Sequence, residues 1–405
     1  METILKDKKT KSPVKYNKGC NFNEVHSNNA QSPMKSIKFR ELISSQSNDY
    51  TICADWLELF CQSEQFCKYI SSLRLEEAQP EKIFKISEKY KIRYAGHGTK
   101  LYSHMFTLII NQFEFAIIQS NPRKIVGKMT DYAMSIKVLN HHLYTVDYVD
   151  TLITALKELE IICLNITRLD IAVDNVNHLY NFMNEYVQQN KQYQDVIYAG
   201  KADISFKKMN NFLEFESIQI GSGNSEKHIV IYNKAKELKK ANKNYIYDFW
   251  QSNLSYINEN EVIRCELRLK SKELNSYKNL TLEALKHDHI LKEIFTKSTK
   301  KLLDFRFNDN KNISRCESIS LLDVNPISSQ LLKEKITYTQ SDTYKAKLSI
   351  HQIYKIFCTV KLLDNERAML ELNLQFYLRK YNLTHWYKSR VEYWDSKYGD
   401  IYEKY

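Results

Sequence analysis

Three short segments of this chain alternate so regularly that only a half-buried sheet can accommodate them. In Thr167-Arg168-Leu169-Asp170-Ile171-Ala172-Val173-Asp174-Asn175, side chains two apart share a face, so Arg168, Asp170, Ala172 and Asp174 oppose Leu169, Ile171 and Val173. In Ile263-Arg264-Cys265-Glu266-Leu267-Arg268-Leu269-Lys270 the basic and acidic residues again oppose an apolar set. Between them in sequence, His228, Val230, Tyr232 and Lys234 lie opposite Ile229 and Ile231. Each strand therefore has one face to bury and one face on which ionisable groups are presented.

At 405 residues and 43% hydrophobic content, the chain can hold two or three domains and bury a substantial core. Its longest apolar stretch, residues 105 to 118, is interrupted by Asn111, Gln112 and Glu114 and is too short to span a membrane. The N-terminus lacks the apolar core of a signal peptide, so a soluble, cytoplasmic protein without a membrane partner is expected. Eight cysteines fall at scattered positions without a Cys-x-x-Cys pair, which predicts neither disulfides nor structural zinc. The net charge of +11 favours an acidic partner such as nucleic acid, although abundant Lys also reflects composition bias.

Residues 1 to 46 carry nine Lys or Arg against four acids and few periodic apolar residues, which predicts a basic, disordered tail. Residues 47 to 275 alternate strand-like and helix-like segments, beginning with a strand over Thr51 to Phe60 that contains Asp55. Helical spacing runs from Tyr148 to Leu159. Asn177 is placed to cap a helix through Tyr186, Leu213 to Ile220 alternates as a strand, and Gly221-Ser222-Gly223-Asn224 reads as a turn. This pattern predicts an α+β fold, a largely antiparallel sheet with helices on one face. Residues 276 to 405 read as a helical C-terminal region, starting with a helix over Leu280 to Phe295 and ending in a dense set of aromatics. Those aromatics can pack a small helical subdomain, or meet DNA or a partner.

In order along the chain, Asp55-Trp56-Leu57, Arg168-Leu169-Asp170-Ile171-Ala172, Ile231-Tyr232-Asn233-Lys234 with Glu237, and Arg264-Cys265-Glu266-Leu267-Arg268 resemble the replication initiation factor family. That family includes the rolling-circle Rep proteins of small staphylococcal-type plasmids and relatives in filamentous phages. The resemblance covers residues 50 to 270 and implies an enzyme that nicks and rejoins origin DNA, single-stranded or in a hairpin. It gives Tyr232 the role of nucleophile, forming a 5′-phosphotyrosine and a free 3′-hydroxyl primer. It gives Asp170 and Glu266, with Asp55 and Asp174 as further candidates, the role of holding Mg²⁺ or Mn²⁺. It also implies host helicase and DNA polymerase as partners and a homodimer as the working form.

These residue types suit that chemistry. A tyrosine hydroxyl with an ordinary pKa of about 10 needs a nearby base or cation to attack at neutral pH. Hard divalent cations prefer carboxylate oxygens, and Lys234 and Arg268 can contact phosphate. Lys236, Lys239 and Lys240 form a further basic cluster for DNA. Without the resemblance, Tyr232 is one of 28 tyrosines and fits a core or rim position. Asp170 and Glu266 can equally be ion-pair partners of Arg168 or Arg268, and Asp174 can cap the turn that follows. His287-Asp288-His289 lies in a helical context that would make its imidazoles diverge, and His141-His142 fails as a metal pair for a similar reason. The competing functions on the same scaffold are a non-catalytic DNA-binding regulator and a metal-dependent nuclease without a covalent intermediate.

Overall fold

In the computed structural model, the described residues are 33–44, 49–125, 129–189, 194–208, 215–241, 243–258, 260–322, 324, 331 and 342–402. Helix α1 (Pro33–Ser44) precedes strand β1 (Thr51–Gln62) and α2 (Glu64–Ser72), which Ser63 caps by accepting the Phe66 amide at 3.0 Å. An antiparallel run follows: β2 (Ile83–Lys85), β3 (Tyr90–Tyr94), β4 (Tyr102–Ile110), β5 (Phe113–Pro122) and β6 (Ala133–Val138). A 3-10 turn at Asn140–Tyr144 leads to α3 (Tyr148–Glu158), the long strand β7 (Ile162–Asp174) and α4 (Asn177–Gln188). Then come β8 (Val196–Tyr198), β9 (Ile204–Lys208), β10 (Phe215–Ile220), β11 (Lys227–Asn233), α5 (Lys234–Leu238), α6 (Asn244–Asn253) and β12 (Ile263–Lys270). After α7 (Ser271–Leu274) and α8 (Asp288–Thr299), β13 (Phe305–Phe307) and β14 (Ser318–Ile319) join β8 in a small second sheet.

The main sheet has eleven strands in the order β2-β3-β4-β5-β6-β1-β7-β12-β11-β10-β9, and every adjacent pair is antiparallel. The fold is thus the α+β architecture that the alternation predicts. Leu169, Ile171, Val173, Leu267, Leu269, Ile229 and Ile231 are all fully buried in one core that also takes in Leu152 of α3 and Ile294 of α8. Each such side chain contributes about 1.5–3 kcal/mol of burial, enough to hold the polar alternates of these strands on the opposite face. Gly221, at φ +92°, makes the hairpin between β10 and β11.

Several sequence expectations change. The part of the tail that lies within the described residues is not an unpacked segment: it forms α1, and Phe39 is buried edge-on against Phe182 at 5.4 Å. The remainder of the tail expectation, residues 1–32, 45 and 46, lies outside the described residues. Asn177 does not cap α4; its side chain accepts the Ile263 amide at 3.1 Å and donates to the Glu261 carbonyl at 3.0 Å, tying the helix start to the entry of β12. The helix expected over Leu280 to Phe295 is broken into a 3-10 turn (Glu283–Lys286) and α8, with His287 extended between them. Consequently the His287 and His289 rings stack at 5.3 Å instead of diverging, and the His141 and His142 rings also lie close, at 4.0 Å.

The chain divides into two compact units, residues 1–334 and 335–405. The boundary drawn at residue 275 falls inside the first, because Leu285, Ile290, Ile294 and Phe295 belong to its core. The second unit contains α9 (Asp342–Thr359), α10 (Asp364–Lys380) and α11 (Thr384–Tyr402). Its own core holds Ile350, Tyr354, Leu374, Leu378, Trp394 and Tyr398, with Trp386 and Tyr387 packed against it, so most of the terminal aromatics serve packing. Among the described residues, no helix is long and apolar enough to cross a membrane.

Candidate active site

The three alternating segments are neighbours at the middle of the sheet, as β7, β12 and β11, and β1 pairs with the outer side of β7. Register sets the polar face in cross-strand rows. Arg168 lies opposite Lys270, Asp170 opposite Arg268 and then His228, and Asp174 opposite Arg264 and then Tyr232. On β1, Glu58 aligns with Arg168 and Trp56 with Asp170. A bulge between Ala54 and Trp56 inserts Asp55, re-aiming its carboxylate onto the same polar face.

One end of this face is sealed around Arg264, whose side chain is fully buried. Its Nε and Nη2 donate to the two oxygens of Asp174, both at 2.7 Å, and its Nη1 donates to Asp55 Oδ1 at 3.0 Å. Trp250 of α6 donates its indole N–H to Asp174 Oδ2 at 2.7 Å. The Tyr144 hydroxyl and the Asn140 amide both donate to Asp55, and Tyr245 in turn donates to Asn140 at 2.6 Å. Burial opposes charge on Asp55, but Arg264 and Lys234 outweigh it and hold the carboxyl well below its usual range. Burial also works against the Arg264 charge, yet Asp174 keeps the guanidinium firmly protonated.

The other end is open to solvent through its cations. The Tyr232 hydroxyl donates to Glu266 Oε2 at 2.9 Å, while Arg268 Nε donates to Glu266 Oε1 at 2.7 Å. Arg268 Nε also stands 3.9 Å from Asp170 Oδ2, and Arg168 grips Asp170 through Nε at 3.0 Å. Asp170 and Glu266 are buried, whereas the side chains of Arg168 and Arg268 are 31% and 36% exposed, so the positive groups form the accessible surface. Burial pushes the Asp170 carboxyl up to about 6 against the pull of Arg168. It pushes the Tyr232 phenol far above its ordinary value, with Arg264 opposing. Burial likewise lowers His228 to about 4, leaving a neutral imidazole whose buried Nδ1 finds no hydrogen-bond partner among the described residues.

Tyr232, Asp170, Glu266, Asp55 and Asp174 thus share one face, but they divide into two networks. Lys234 is not a strand residue beside Tyr232: it starts α5, which Asn233 caps through the Lys236 amide at 2.9 Å, and it is buried with its ammonium 3.0 Å from Glu237. Its Nζ still lies 5.6 Å from the centre of the Tyr232 ring. Lys236, Lys239 and Lys240 are exposed around that short helix, and Lys239 donates to Asn260. Hard oxygen donors suit Mg²⁺ or Mn²⁺, yet every one of the four carboxylates already faces a guanidinium, and no group of three or more His, Cys, Asp or Glu able to hold a metal occurs among the described residues. With Arg264 and Arg268 in these positions the set does not fit a divalent ion.

Strand parity puts Arg264 on the polar face with Glu266 and Arg268, and the register of β7, β12 and β11 brings it beside Asp174 and Tyr232. Trp250, Tyr144 and Asn140 carried no local signal, because their contacts with Asp174 and Asp55 cross 76 to 89 residues of chain.

A family model described as replication initiation factor matches residues 164–369, just over half of the chain. Among solved structures, a rolling circle replication initiator protein from Geobacillus stearothermophilus is similar over 67% of this chain and 93% of its own, at 14% identity and a TM-score of 0.40. No curated protein matches the chain.

Proposed function

Since the chain belongs to the replication initiation factor family, we propose that it starts rolling-circle replication by nicking origin DNA through Tyr232. Tyr232 Oη attacks a phosphodiester phosphorus, the bond from phosphorus to O3′ breaks, and the phosphate stays on the enzyme as a 5′-phosphotyrosine. The departing O3′ takes a proton from solvent and becomes the primer hydroxyl. Rejoining reverses the step, with a 3′-hydroxyl displacing the tyrosine.

The observation that carries this reading is the 2.9 Å hydrogen bond from Tyr232 Oη to Glu266. Because burial disfavours a resting phenolate, the proton has to leave as the new bond forms, and Glu266 is positioned to accept it as general base. Arg268, held by the other Glu266 oxygen, presents its guanidinium towards solvent, where a scissile phosphate would sit. Origin DNA is the partner this chemistry requires, single-stranded or in a hairpin. A polymerase to extend the primer, a helicase and a second copy of the chain complete the proposal.

The test is nicking of supercoiled DNA that carries the cognate origin, with Mg²⁺, with Mn²⁺ and with chelator. A covalent protein-DNA adduct should form and disappear completely in Tyr232→Phe. Nicking that survives the substitution would mean hydrolysis by water, and absence of cleavage under all three conditions would mean a DNA-binding regulator.

A further inference from the structure

Trp56 belongs to the first motif of the chain, and the nicking chemistry gives it no task. It lies on the polar face, aligned with Asp170, and it is half-buried rather than part of the core. Two cations flank its ring: Lys137 Nζ at 3.4 Å and the Arg168 guanidinium carbon at 4.0 Å from the ring centre. Lys137 comes from β6, the strand beyond β1, and is likewise half-buried. It makes no ion pair among the described residues, and burial lowers its pKa. An ammonium partly withdrawn from water, resting on an indole and attracted by its cross-strand neighbour Glu58 without forming a salt bridge to it, is suited to an incoming anion.

These groups continue the open end of the site without a gap. Tyr232 on β11 reaches Glu266, which holds Arg268 on β12. Arg268 stands by Asp170 on β7, and the Arg168 that grips Asp170 also covers Trp56 on β1. Five adjacent strands, β11, β12, β7, β1 and β6, each add one link, a span of about 19 Å at a strand spacing of about 4.8 Å. Asp170 and Glu266 along it are buried, and Arg168, Arg268 and Lys137 are half-exposed; the half-buried Glu58, aligned with Lys137 and Arg168, is the one accessible carboxylate among these groups, so an anionic chain laid across the strands meets three cations against one acid.

We propose that Trp56, with Lys137 and Arg168, forms a subsite for single-stranded DNA flanking the attacked bond, the indole stacking one base and the two cations gripping its phosphates. This rests on the proposed function only for its orientation relative to the nucleophile. Stacking on an aromatic ring and cationic tracking of the backbone are the two devices by which single strands are held irrespective of sequence. On binding, Lys137 exchanges the ring for a phosphate oxygen and frees a face of the indole for the base.

The experiment uses the full chain carrying Tyr232→Phe, to prevent cleavage, and a labelled twelve-nucleotide oligothymidylate, followed by anisotropy and tryptophan fluorescence. Binding should quench tryptophan emission, because Trp250 and Trp394 are buried, Trp386 packs against the core of the second unit, and Trp56 lies on the polar face of the sheet. Trp56→Leu should weaken binding roughly 5- to 100-fold, and an abasic strand of equal length should bind it and the parent alike. Trp56→Phe should keep most of the affinity while losing the quench. Lys137→Gln should flatten the slope of log affinity against log salt by about 0.7. Equal affinity of the parent and Trp56→Leu for oligothymidylate, or of the parent for oligothymidylate and the abasic strand, overturns the subsite. If Trp56→Leu does not fold, Trp56→Phe and Lys137→Gln decide: a retained quench and an unchanged slope overturn it. Trp56-dependent binding without any adduct in the Tyr232 chain would reject the nicking reaction and keep the subsite; an adduct with Trp56-independent binding would do the reverse.

Discussion

Arg264 and Arg268 lie on the same face of one strand, four residues apart, and each binds two carboxylates; only their surroundings differ. Arg264 is fully buried, with both oxygens of Asp174 and one of Asp55 satisfied and with α6 laid over them. Arg268 is 36% exposed, and its carboxylate Glu266 divides its oxygens between the guanidinium and a tyrosine hydroxyl. The first arrangement is a structural knot, in which one buried guanidinium holds two carboxylates in place. The second leaves a cation at the surface above a buried proton acceptor, and that is where a reaction can be housed. Identical residue types in identical strand positions thus separate into scaffold and chemistry according to what covers them.

The largest expected effect falls on the reactive side. Glu266→Gln keeps the size of the side chain but cannot take the Tyr232 proton, so the rate of adduct formation should fall by about 10²- to 10⁴-fold in a single-turnover nicking assay. A drop of less than threefold would remove Glu266 from the role of base. On the structural side, Arg264→Met strands Asp174 and Asp55 in the interior and should cost about 3–5 kcal/mol in urea unfolding, whether or not DNA is present. If Arg264→Met were as stable as the parent but inactive, the two arginines would have to exchange roles.

The smallest effect, and the sharpest discriminator, is the opposite pH response of the two networks. Asp55 is held below its ordinary value, so its contribution to stability is present above about pH 4 and is lost as pH falls further. Asp170 is raised to about 6, so between about pH 4 and 6 the folded chain holds a proton that the unfolded chain has released; its contribution favours folding at the lower end of that window and is lost as pH rises through it. Activity should move the other way, declining below about pH 6 as protonated Asp170 stops orienting Arg168 and Arg268. Nicking rates and thermal midpoints across pH 4 to 8, for the parent and for Asp170→Asn, read both trends; a midpoint profile unaltered by Asp170→Asn would place that carboxyl in solvent contact.

Much of this division was legible in the strands themselves. Period-two alternation placed Asp170, Glu266 and Tyr232 on one face, and the burial of Leu169, Leu267 and Ile231 follows from the same pattern. The alternation could not show which carboxylates would be sealed, since Trp250, Tyr144 and Asn140 reach Asp174 and Asp55 from distant segments. Nor could it show the β1 bulge: strict alternation puts Asp55 and Trp56 on opposite faces, and one extra residue brings both to the polar side. Lys234 shared parity with Tyr232, but Asn233 capped a helix there and turned the chain out of the sheet. The packing of α1 depends on Phe39, a single aromatic in a segment whose composition otherwise reads as unstructured.

Glu266 touches Tyr232 with one oxygen and Arg268 with the other, and this links two events in time. Under the proposed step, the carboxylate is anionic while the tyrosine keeps its proton, and it tethers the guanidinium. Once it accepts that proton it becomes neutral and its hold on Arg268 weakens, at the instant negative charge accumulates on the phosphate. One side chain would then serve as a clutch, releasing a positive charge only when the reaction has begun to need it.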